Sequence, residues 1–68
     1  MNTTITPANQ IATFANSELG IASLVTIVKK GFAVTLLDTD AELIVATKIF
    51  PLAMLVQAVN YAKAIANV

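Results

Sequence analysis

The chain has no cysteine, histidine, arginine or tryptophan among its 68 residues. Without cysteine it cannot form a disulfide, and without cysteine or histidine it lacks the usual ligands of a structural zinc site. No serine lies in a Gly-x-Ser-x-Gly sequence, and two glycines are too few for a Gly-rich phosphate loop. The composition therefore predicts a protein that is not an enzyme and that uses no metal or cofactor.

Charged residues are also scarce, and their signs balance. They make up 12% of the chain, and four lysines offset four carboxylates to give a net charge of zero. Lys29 and Lys30 are the only adjacent cations, whereas nucleic-acid-binding proteins depend on a basic stripe that often contains arginine. Nucleic acid is therefore not an expected partner.

Hydrophobic residues are in surplus, at 57% of the chain against about 45–50% in typical soluble domains. A chain of this length forms one domain, in which the gain from apolar burial and the cost of chain ordering nearly cancel. With disulfides and metals excluded, association is the remaining source of stability. We predict a single domain over residues 1–68, with residues 1–5 as an N-terminal arm, that assembles with copies of itself.

Targeting and membrane segments are not recognisable. Residues 1–10 have neither the basic nor the apolar region of a secretory signal. The longest uncharged apolar stretch, residues 49–62, has 14 residues, fewer than the roughly 18 that a transmembrane helix needs. We expect a location in the cytoplasm or within a virion or shell, with any membrane contact peripheral.

The first half of the chain predicts a long helix. Thr6 and Pro7 suit a helix start, and apolar residues then recur at steps of three and four up to Val28. Lys29, Lys30 and Gly31 suit a helix end. Residues 24–28 are rich in β-branched side chains, so a strand there, within a three-stranded meander, is the alternative.

Two strands are predicted at residues 32–37 and 43–49, separated by an acidic turn. Pairing Leu37 with Leu43 makes both faces of this ribbon apolar, although one face of a two-stranded ribbon is normally wet. We therefore expect Ala33, Leu37 and Val45 to contact a neighbouring subunit.

Pro51 opens a final helix over residues 52–66. Apolar side chains cover most of its circumference, which indicates burial on two sides. We expect Leu55, Val56 and Val59 to face the ribbon of the same chain. The second apolar stripe is expected to face a neighbour and comprises Met54, Ala58, Tyr61 and Ile65. The predicted fold is α+β, helix–strand–strand–helix, with a two-stranded antiparallel ribbon as the oligomerisation element.

The acidic turn at residues 38–42 contains the only candidate metal ligands. Asp38 and Asp40 match the start of a calcium-binding EF-hand loop, but the loop glycine is missing and Ile49 stands where the bidentate glutamate belongs. A hairpin turn in which aspartate side chains bind their own backbone is therefore predicted. Lys48, alone among apolar strand residues, is interpreted as the guard of an edge strand.

The order of these elements resembles the layout of the gas vesicle shell protein. The resemblance runs from Lys30-Gly31 through the strand pair to the helix ending Tyr61-Ala62-Lys63-Ala64. Shell subunits of that kind pave a wall through their hairpins, so the resemblance implies apolar self-assembly. The acidic turn and the lack of arginine depart from that pattern, so the resemblance extends to layout alone.

These observations favour a non-enzymatic, self-assembling structural subunit, such as a virion, shell or filament component. Two alternatives stay open. One is a small oligomeric regulator or inhibitor that binds a target protein through its apolar face, and the other is a peripheral membrane-associated protein.

Overall fold

Within the part of the chain that the structure describes, the fold consists of four antiparallel strands followed by one helix. A computed structural model describes residues 10–68; the expected arm at residues 1–5 and the expected helix start at Thr6 and Pro7 lie outside this range. The elements are β1 (Gln10–Asn16), β2 (Ile21–Val28), β3 (Gly31–Asp38), β4 (Leu43–Phe50), a 3-10 turn (Leu52–Met54) and α1 (Leu55–Ala66). The strands lie in the sheet in chain order.

The predicted helix–strand–strand–helix fold is wrong in its first half. Residues 10–28 form the hairpin β1–β2 and not a helix, so the ribbon is part of a four-stranded sheet. The alternative for residues 24–28 is confirmed, since they belong to β2. The layout resemblance to the gas vesicle shell protein fails with the first helix.

The β1–β2 turn explains why a helix does not form. Asn16 Oδ1 accepts a hydrogen bond from the backbone N–H of Leu19 at 3.1 Å, which folds the chain back on itself. Gly20 then adopts a φ of +67°, a left-handed conformation that glycine reaches without steric cost. Asparagine and glycine thus form a turn where the apolar periodicity alone predicted an uninterrupted helix.

The β2–β3 connection consists of Lys29 and Lys30, which lie in a tight hairpin turn and not at a helix end. Val28 pairs with Gly31 across this turn. Gly31 has a φ of +149°, and a Cβ atom there would overlap the backbone carbonyl oxygen of Phe50. Only glycine fits at this position, because the backbone of Phe50 and Leu52 passes too close to leave room for a side chain.

The β3–β4 hairpin confirms both predicted strands but not their register. Leu37 pairs with Ile44, whereas Leu36 pairs with Ala46, so Val45 has no partner and forms a bulge. Leu43 lies opposite Asp38, not opposite Leu37. Beyond the bulge, Ala46 to Phe50 are in unbroken register with β3.

The helix predicted at residues 52–66 is confirmed over Leu55–Ala66, while Leu52–Met54 form the 3-10 turn, and the helix packs on one face of the sheet. Its buried residues are Ala58, Ala62 and Ala66, whose small side chains allow the helix to approach the strands closely. The sheet residues that form the core with Ala58 and Ala62 are Val25, Phe32, Val34 and Phe50. We call this face the covered face; the opposite one, with Leu24, Ala33, Thr35, Leu37 and Ile49, is the second face.

Two side chains of the covered face bind the carboxyl end of α1. Ser23 is fully buried, and its hydroxyl donates to the Ala62 carbonyl oxygen at 2.6 Å. Asn16 Nδ2 donates to the carbonyl oxygens of Ala66 at 2.9 Å and Asn67 at 3.2 Å. The Asn16 bonds satisfy backbone acceptors at the helix end, and together with the Ser23 bond they fix the helix over β1 and β2.

Replacing Ser23 by alanine should lower the free energy of unfolding by about 1–2 kcal/mol, because a buried hydrogen bond is lost. Urea denaturation followed by circular dichroism, at one fixed protein concentration, measures this loss. Ser17→Ala makes the same change at an exposed serine of the β1–β2 turn and should cost less than about 0.5 kcal/mol. Equal losses in the two variants would contradict the role given to Ser23.

Replacing Ala62 by leucine should destabilise the fold by about 1–3 kcal/mol, because the larger side chain separates the helix from the sheet. Ala64→Leu is the matched control, since Ala64 lies on the exposed side of the same helix. It should stay within about 0.5 kcal/mol of the parent in the same denaturation experiment. A tolerated Ala62→Leu would show that the helix and sheet are not closely packed.

Candidate assembly surface

The two apolar stripes of α1 lie opposite to their expected positions. Ala58 is fully buried in the core of the same chain. Met54, Tyr61 and Ile65 are partly buried against that core. The expectation that this stripe faces outward is therefore corrected. Small residues pack closest to a sheet, so the alanine positions mark the inner side of the helix.

The other stripe supplies exposed apolar surface instead of core. Val56 is 68% exposed, and Leu52 and Leu55 are exposed as well; of the three residues expected to face the ribbon, only Val59 packs partly against the core. Ile27, which lies on the covered face near the end of β2, is also exposed. We call Ile27, Leu52, Leu55 and Val56 the helix patch.

The three ribbon residues predicted to contact a neighbour have different surroundings. Ala33 and Leu37 lie on the second face, where Ala33 is buried and Leu37 half-buried. Val45, the bulged residue of β4, is 59% exposed. Val45 alone among the three presents most of its side chain to solvent, and the strand it belongs to, β4, is therefore the part of the ribbon best placed to contact a neighbour.

Strand β4 is the most exposed apolar element among residues 10–68. All seven residues from 43 to 49 are exposed, and they include Leu43 (62%) and Ile49 (50%). The strand pairs with β3 alone, so its outer backbone N–H and C=O groups have no strand partner within the described sheet. A long apolar edge strand of this kind is a template for pairing with another strand.

Lys48 carries the only charge on β4, and its position modifies its predicted role as an edge guard. Its Nζ lies 5.4 Å from the ring centroid of Phe50 and 5.0 Å from that of Tyr61. The two rings themselves are 5.5 Å apart. These cation–π contacts hold the ammonium group over the covered face, so it offers little protection to the outer backbone of the strand.

The opposite edge, β1, is less suited to pairing. Its residues alternate between exposed and half-buried, and Phe14 and Ala12 pack against the core. Gln10 and Thr13 are polar, and the Asn16 side chain is already bonded to the helix end. The two edges thus differ, and β4 is the candidate assembly surface.

The acidic turn has the structural role that the sequence predicted. Asp38 Oδ1 accepts hydrogen bonds from the backbone N–H groups of Asp40 and Ala41, both at 3.0 Å. The Thr39 N–H donates to the Gly20 carbonyl oxygen at 2.9 Å, which links the acidic turn to the β1–β2 turn. Over residues 10–68 the acidic side chains form no cluster that could hold a metal ion.

Comparison with protein-family models, curated proteins and solved structures finds no match to this chain. The part of the chain from residue 10 onward contains no helix with the length and apolarity needed to cross a bilayer.

Replacing Asp38 by alanine should lower the free energy of unfolding by about 1 kcal/mol, because the turn loses an acceptor shared by two backbone donors. Asp38→Asn keeps an oxygen at that position and should remain within about 0.5 kcal/mol of the parent. Millimolar calcium should leave the melting temperature of the parent unchanged. A rise of several degrees with calcium would refute the structural role.

Proposed function

We propose that the chain is a non-enzymatic, self-assembling structural subunit, such as a component of a virion, shell or filament. The observation that carries this proposal is β4, an edge strand with seven consecutive exposed residues. In a lone subunit, its apolar side chains and its outer backbone groups are both left to water. A second protein surface would bury these side chains and hydrogen-bond to these backbone groups.

The helix patch supports assembly beyond a pair. It lies on the 3-10 turn, the start of α1 and the end of β2, whereas the candidate assembly surface lies on β4, and α1 lies mainly over the other three strands. A subunit with two separate apolar surfaces can bind two neighbours at once. Surfaces that do not close on themselves generate open assemblies, whereas a single self-complementary surface gives a closed dimer.

The composition supports the same class of protein. A chain that is 57% hydrophobic and 12% charged has too few polar groups to cover a small domain, because small domains expose a large fraction of their surface. The expected partner is the chain itself, and the expected location is the cytoplasm or the interior of a virion or shell.

The native mass of the purified protein tests this proposal directly. At micromolar concentration, light scattering coupled to size-exclusion chromatography should give a mass several times 7.1 kDa, and negative-stain microscopy should show particles or filaments. A 7.1 kDa species whose unfolding midpoint does not depend on protein concentration would overturn the proposal.

Two other outcomes separate the alternative functions. A closed dimer, trimer or tetramer without larger particles would favour the small regulator that docks on a target protein. Flotation with liposomes, absent for the Val56→Ser variant of the helix patch, would favour peripheral membrane association.

A further inference from the structure

The charges at the two ends of β4 are complementary when the strand is paired with itself in the antiparallel direction. Its start follows Glu42, and Lys48 lies near its end. Both side chains belong to exposed residues. Antiparallel self-pairing brings the start of one strand beside the end of the other, so opposite charges meet twice.

We propose that β4 pairs antiparallel with β4 of a second copy, across a twofold axis between Val45 and Ala46. The two sheets then form one continuous eight-stranded sheet, and Lys48 of each copy lies opposite Leu43 of the other, one residue along the strand from Glu42. This inference rests on the proposed self-assembly and specifies its first contact.

The positive charge of Lys48 disfavours the parallel arrangement. Parallel in-register strands would place Lys48 about 4.8 Å from its counterpart, and like charges opposite each other destabilise a strand pair. In the antiparallel arrangement with its axis between Val45 and Ala46, the two Lys48 positions are about 16 Å apart along the strands at about 3.3 Å per residue. The strand offers no other charge that opposes this pairing.

The bulge at Val45 lies next to the proposed axis, so the regular residues Ala46 to Lys48 of each strand pair with Leu43 to Val45 of the other. Bulges discourage pairing at many sheet edges, but this one takes up a single position. Ala46 to Phe50 continue in register with β3, so their outer backbone groups are spaced as in a regular strand. The helix lies mainly over the other three strands and does not block the outer edge.

A single-cysteine scan tests the proposal, since the chain has no cysteine of its own. A disulfide requires Cα atoms within about 7 Å, so only positions close to a twofold axis can bond to their own counterpart. Under mild oxidation, Val45→Cys or Ala46→Cys should convert most of the protein to a covalent dimer on non-reducing gels. Leu43→Cys and Ile49→Cys should not, because their counterparts would lie about 16 Å or more away.

Gln57→Cys, on the exposed polar side of α1, is the control for disulfides formed by random collision, and it should stay monomeric on the gel. Equal cross-linking at every β4 position would indicate parallel strands and overturn the proposal. Absent cross-linking at Val45 and Ala46 in a protein of multimeric native mass would overturn the strand pairing but not self-assembly, whereas a monomeric native mass would overturn both.

A charge exchange tests the register. Lys48→Glu should weaken the dimer about five- to tenfold, because it creates two repulsive pairs with Glu42. Lys48→Gln is the matched control that loses the contact with Phe50 and Tyr61 without adding a negative charge, and it should weaken the dimer less. The double variant Glu42→Lys with Lys48→Glu should recover to within about threefold of the parent; no recovery would overturn the pairing of these two residues.

Discussion

One helix must cover a sheet that is wider than the helix itself, and the rest of the structure follows from that mismatch. A helix with its side chains is about 10–12 Å across, whereas four strands spaced about 4.8 Å apart span about 14 Å between their outer axes. The helix packs closely through Ala58, Ala62 and Ala66 and is fixed towards β1 and β2 by Ser23 and Asn16. On the covered face, β4 is therefore left with little of the helix above it.

The parts of the fold that sequence reasoning predicted correctly are those with a single strong local signal. Residues 31–38 and 43–50 combine β-branched side chains with a turn rich in aspartate, and Pro51 separates them from the final helix. Residues 10–28 were mispredicted because alanine is compatible with helical periodicity at almost any position. Asn16 and Gly20 are residues that favour a turn, and this signal was outweighed because the apolar helical pattern continues across them.

The candidate surface was predictable in kind but not in position. An apolar ribbon with both faces in need of cover was evident from the sequence, and Val45 belongs to the exposed strand. Which stripe of α1 faces inward could not be decided from periodicity, because both are apolar. Which stripe packs inward depends on how closely the helix can approach the sheet at Ser23 and the buried alanines. That distance depends on the packing of helix and sheet together and not on the helix sequence alone.

The bonds from Ser23 and Asn16 to the helix end also set an order of events during synthesis. The strands pair with their neighbours in sequence, so each hairpin can form soon after it leaves the ribosome. The partners at Ala62 and Ala66 are 39 and 50 residues further along the chain. Until they emerge, the sheet exposes the apolar residues of its covered face as well as β4. A chain whose helix has not yet docked therefore exposes more apolar surface than the folded chain, and such partly folded species are the ones most prone to aggregation.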